Sequence, residues 1–79
     1  MGDKQPLKVG DVFYRDDYSI VINDIFFKDS LWHVKLSITT FGDTFGHGFK
    51  VTDIPNRKCA TMYVDEWIPK ILEIRNENK

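Results

Sequence analysis

The chain has 79 residues, 42% of them hydrophobic and 29% charged, and eleven basic against twelve acidic side chains leave a formal charge of −1. That length holds one small core burying roughly 60% of the unfolded surface, and the composition lies outside the regime of disordered chains. The charge balance excludes a global field able to hold nucleic acid or an anionic membrane, while the lone cysteine, Cys59, excludes an internal disulfide and fits a reducing compartment such as the cytoplasm.

The start, Met1 to Pro6, has no apolar stretch resembling a signal peptide, and no run approaches the length of a membrane span. A single domain is expected at 7–74, with 1–6 and 75–79 as flexible polar ends. Leu7 to Tyr14 opens with apolar residues broken by Gly10-Asp11, a turn or bulge leading into a first strand. After the polar Arg15-Asp16-Asp17, the alternation of Tyr18, Ile20 and Ile22 with Ser19, Val21 and Asn23 reads as a second strand, buried on much of both faces. Lys28-Asp29-Ser30 has the length of a hairpin loop. Beyond it comes the clearest period in the chain, with Trp32, Val34, Leu36 and Ile38 facing one way and His33, Lys35, Ser37 and Thr39 the other. This is the pattern of a half-buried antiparallel strand paired with the one before it.

From Phe41 to Val51 three glycines lie among aromatics, and Phe45, His47, Phe49 and Val51 alternate with Thr44, Gly46, Gly48 and Lys50. Such a segment reads as a strand bare on part of one face or as a flexible loop. Asp53 to Lys58 reads as a turn and Cys59 to Tyr63 as a short strand. At Asp65 the period changes to about 3.6, with Trp67, Ile68, Ile71, Leu72 and Ile74 on one helical face. Asp65 is the expected N-cap, Glu66 and Lys70 form an i, i+4 pair, and Pro69 falls in the first turn. The expected fold is mainly β: an antiparallel meander of about five strands curled into a small barrel, with a short C-terminal helix over one end or face.

Catalytic and metal signals are thin. His33, His47, Cys59 and Asp43 are the available ligand types, but no CxxC, HxxxH or HExxH spacing joins them, so neither metal nor cofactor is expected. Cys59 follows Arg57 and Lys58 without a marked base, and reads as a small buried residue. Gly42, Gly46 and Gly48 match no phosphate loop. An enzyme is not expected.

A binding surface is the better expectation. Phe26, Phe27 and Phe41 fall at strand ends beside polar loops, and a period of two lets only one of Phe26 and Phe27 face inward. The expected partner-binding residues are Phe26, Phe27, Phe41, Phe45 and Lys50, engaging another protein. The alternative is a single-stranded nucleic-acid surface of Lys35, Phe45, Phe49, Lys50, Arg57 and Lys58, stacking bases beside basic groups; Gly46 to Val51 is similar over six residues to the aromatic strand of a cold-shock domain. A further alternative treats Asp11, Asp16, Asp17, Asp24, Asp29 and Asp43 as an acidic rim imitating nucleic-acid phosphates, although Asp at turns serves local hydrogen bonding.

Val9-Gly10-Asp11-Val12-Phe13, Tyr18 to Ile22, Trp32 to Lys35, and Met62 with Glu66 to Leu72 together resemble the small SH3-like barrel proteins of bacteriophages and other mobile elements. Pro69 and the glycine-rich segment Phe41 to Phe49 depart from that pattern. The resemblance implies a barrel in a bacterial or phage cytoplasm, with a binding role such as modulating a host protein, as a monomer or homodimer. It carries over no catalytic residue and no ligand.

Overall fold

Residues 5–77 are described by a computed structural model. In chain order they form β1 (Val12–Tyr14), β2 (Ser19–Lys28), β3 (Leu31–Thr40), β4 (Asp43–Val51), α1 (Arg57–Glu66) and α2 (Ile68–Glu77). The four strands make one antiparallel sheet in the order β1-β2-β3-β4, and the two helices lie on one of its faces. Both long hairpins turn on two residues of positive φ, Asp29 and Ser30 in one and Phe41 and Gly42 in the other. That backbone sign matches the twist of the flanking strands. Phe41 to Val51 is thus a turn followed by a regular strand.

Alternation decides which face is buried. Ile20 pairs with Ile38 and Ile22 with Leu36, while Val34 and Ile38 face Phe49 and Phe45 across β4. These side chains meet Ala60, Val64 and Ile68 from the helices and Phe13 from β1 in one core. A register shift between Ile22 and Asp24 lets one extra residue into β2. Its consequence is a change of phase: Ile25 and Phe27 fall on the helix side opposite Val34 and Trp32, and Phe26 falls on the outer side opposite His33. The outer face of β2 is open, with Val21 36% exposed, so this strand is buried on one face rather than both.

Cys59 to Tyr63 is not a fifth strand but the middle of α1. Asn56 caps that helix, its side-chain carbonyl accepting from the Cys59 N–H at 2.8 Å, and Ala60, Val64 and Ile68 repeat at helical spacing beneath it. With no strand to join β4 back to β1, the sheet stays open and is not a closed barrel. Asp65 is likewise not the N-cap. It lies near the end of α1 and pairs with Arg15 at 2.6 Å. The break that sequence reasoning placed before Asp65 occurs after Glu66, because Pro69 lacks the N–H that would bond the Asp65 carbonyl and its ring crowds that turn.

At the ends, Pro6 bridges Asn56 and the Arg57 N–H bonds the Gln5 carbonyl at 2.9 Å. α2 runs through the polar segment to Glu77. The expectation of flexibility at 1–4 and 78–79 lies outside the described residues. No helix among the described residues is long and apolar enough to cross a membrane.

Candidate functional site

Phe41 is the most exposed large apolar side chain among the described residues, at 87%. It also holds φ at +47° in the β3–β4 turn, a region that bulky side chains occupy at a cost of about 1–3 kcal/mol. An aromatic ring so exposed on a strained backbone adds little to the fold. Beside it lies a cleft of about 520 Å³ between this hairpin tip and α2. Tyr18, Thr40, Pro69 and Leu72 line its walls, and Asp17 and Glu73 stand at its rim.

The cleft is held by polar ties around it. The Thr40 hydroxyl donates to the Asp17 carbonyl at 2.8 Å, fixing the tip to the β1–β2 loop. The Tyr18 hydroxyl donates to the Val64 carbonyl at 2.8 Å and so anchors the loop to α1. Burial, reinforced by the carboxylates of Asp65 and Asp17, raises the Tyr18 pKa and keeps the donor protonated. Arg75 of α2 reaches the start of β4, bonding Asp43 at 2.7 Å and lying 3.8 Å over the Phe45 ring. Asp17 and Glu73 take part in no ion pair of the described residues, whose three pairs are Arg15–Asp65, Arg57–Asp11 and Arg75–Asp43. Among the described residues, the rim thus presents two carboxylates with no basic partner.

A second groove of about 430 Å³ runs between β4 and α1, with Met62 and Trp67 exposed on it. Trp67 was expected on the core face, yet it is 52% exposed because the helix breaks there. Its walls already satisfy one another. Tyr63 stacks on Phe49 at 4.2 Å and on Trp67 at 6.3 Å, and Lys70 covers Trp67 at 5.1 Å.

His47 is no loop residue. It points from β4 toward α1 and hydrogen-bonds the Tyr63 hydroxyl. Burial lowers its pKa below the ordinary value and raises that of Tyr63. The folded chain therefore binds fewer protons at His47 than the unfolded chain. The resulting stability is fully present above about pH 6.5 and is lost as pH falls toward the depressed value. Urea unfolding at about pH 7.5 and about pH 5.5 should show a larger acid loss for the native chain than for His47→Gln. Equal losses would contradict this.

The outer sheet face carries a third feature. Phe26 stacks flat on His33, with ring centroids 4.9 Å apart and planes 2° apart, and the Lys35 ammonium lies 5.5 Å from the Phe26 ring. Lys50 stands opposite His33. Beside them Gly46 and Gly48 leave β4 bare, and Gly48 has to be small, since a Cβ there would meet the Val34 carbonyl at 3.0 Å.

The five partner-binding residues expected from sequence do not form one surface. Phe41 and the half-buried Phe45 share the α2 end; Phe26 and Lys50 lie on the outer face. Phe27, 58% exposed and tilted against Trp32 at 5.3 Å, sits in β2 beside the β2–β3 turn, at the opposite end of the sheet, about 30 Å from Phe41 along the strand direction. The nucleic-acid set is divided too. Lys35 and Lys50 share the outer face, whereas Phe45 and Phe49 point to the helices. Arg57 covers the Phe13 ring at 4.6 Å and pairs with Asp11, and Lys58 is exposed beside it at the start of α1. Sequence reasoning missed Tyr18, Pro69, Leu72 and Glu73 as cleft residues, and His33 as the stacking partner of Phe26. No group of three or more His, Cys, Asp or Glu among the described residues could hold a metal ion.

Comparison with known proteins finds no matching family model, no matching curated protein and no matching solved structure.

Proposed function

We propose that this domain is a non-enzymatic protein-binding module whose docking site is Phe41 with the adjoining cleft on α2. The observation that carries this reading is the exposed aromatic ring held at positive φ beside an apolar cleft. Rim carboxylates without ion pairs among the described residues give the partner a chemistry: an apolar side chain entering the cleft, flanked by Lys or Arg that meet Asp17 and Glu73. Cytoplasmic location and the modulation of a host protein, as the likeness to small phage barrels suggests, belong to the same proposal. Selection of a displayed random-peptide library on the immobilised domain tests it. Enriched peptides should share an aromatic or aliphatic residue beside basic ones and lose enrichment on Phe41→Asn. No enrichment, or enrichment indifferent to Phe41, would overturn it.

The Phe26–His33 stack with Lys35 and Lys50 favours a second reading, in which the outer face stacks the bases of a single strand. Binding of a labelled oligonucleotide should then weaken steeply with salt and disappear in Lys35→Glu/Lys50→Glu. Absence of binding at low salt would remove it. The charge of −1 and the lack of arginine on this face place it second.

A further inference from the structure

We propose that β4 pairs antiparallel with the β4 of a second copy of this chain, about a two-fold axis at His47, joining the two sheets edge to edge. Of the two sheet edges, β1 is three residues long, too short to template a partner. β4 is nine residues long, with no proline and no register shift against β3. Long edge strands of that kind are normally blunted by such devices.

The sequence of β4 identifies the occupant. Phe45-Gly46-His47-Gly48-Phe49 reads the same in both directions, and an antiparallel strand meets its copy in reverse. About an axis at His47, Phe45 opposes the partner copy's Phe49-position ring, glycine opposes glycine, Thr44 opposes the residue at position 50, and Asp43 opposes the one at position 51. No like charges meet across this register.

The hydrogen-bond phase agrees. In a two-residue hairpin the closing pair, here Thr40 and Asp43, is the one that exchanges backbone bonds. The backbone groups of Asp43, Phe45, His47 and Phe49 then point toward β3, and those of Thr44, Gly46, Gly48 and Lys50 point out. Centred on His47, every outward residue meets an outward residue, and each such pair exchanges two bonds. A slip of one residue would set outward groups against inward ones and lose them all. A slip of two keeps the bonds but sets phenylalanine against histidine and opposes glycine to lysine or threonine. Gly46 adds a further point: a Cβ there would meet nothing within 4 Å, so packing within one copy does not call for glycine.

Such a dimer carries two Phe41 tips at opposite ends of the joint, about 40 Å apart along the strand direction. The arrangement goes beyond the binding role proposed for Phe41 and does not depend on it.

Sedimentation equilibrium of the full chain, from micromolar to about 1 mM, should give twice the 9.3 kDa mass. Gly46→Pro, which removes an outward donor and is tolerated where an edge N–H faces solvent, should raise the dissociation constant at least about tenfold while leaving the circular dichroism unchanged. In a Cys59→Ser background, His47→Cys should form an intermolecular disulfide under mild oxidation, since facing Cα atoms at the axis would lie about 4.5 Å apart. Thr44→Cys should not. The 9.3 kDa monomer mass at every concentration, or equal cross-linking at both positions, would overturn the proposal.

Discussion

Replacing Phe41 with asparagine is expected to make the domain more stable and its partner binding weaker. The ring is 87% exposed at φ +47°, so its removal loses little packing. Asparagine tolerates that conformation, and Asn-Gly is the favoured pair for a two-residue hairpin turn. The gain should be about 1 kcal/mol, raising Tm by about 4–8 °C for a domain of this size. The same change removes an aromatic anchor, which at a hot spot is worth about 2 kcal/mol or more, roughly a thirtyfold loss of affinity for a selected peptide. Thermal unfolding and a binding titration on one pair of proteins measure both. Unchanged affinity would show that the ring is not an anchor, and lower stability would show that the turn is not strained.

Ile38→Ala should bring the fold near collapse. Ile38 is fully buried at the centre of the sheet, between Ile20 and Phe45 and beneath the helices. Truncating such a residue costs about 2–5 kcal/mol, because the cavity only partly closes. A chain of 79 residues has about 4–12 kcal/mol in total. Urea unfolding should therefore show the midpoint falling by about half, against a change within about 0.5 kcal/mol for Val21→Ala on the open face. A loss below about 1 kcal/mol at Ile38 would mean that the helices do not cover this face.

The strand pair β2–β3 was legible because one buried face imposes a period of two, which residues 31–40 carry almost without exception. Phe26 and Phe27 fall on opposite faces, as a period of two requires, yet neither joins the core. Which of them shares the helix side was hidden, because a bulge at Asn23 reverses the phase and no glycine or proline marks it. α1 was misread since Cys59 to Tyr63 also fits a short strand. The spacing of Ala60, Val64 and Ile68 after Asn56 was the signal for a helix. Closure into a barrel depended on that missing strand, so the open sheet follows from the same residues. Phe41 was legible as an exposed aromatic, but its cleft was not. Tyr18, Leu72 and Glu73 meet there only because α2 folds back over the hairpin tip, and nothing local in the chain encodes that approach.

The most direct test of the binding site is to titrate the isotopically labelled domain with a library-selected peptide and follow its backbone amide resonances. The account predicts shifts concentrated at Asp17, Tyr18, Thr40, Phe41, Leu72 and Glu73. Shifts centred instead on Phe26, His33, Lys35 and Lys50, with the Phe41 tip unmoved, would contradict it.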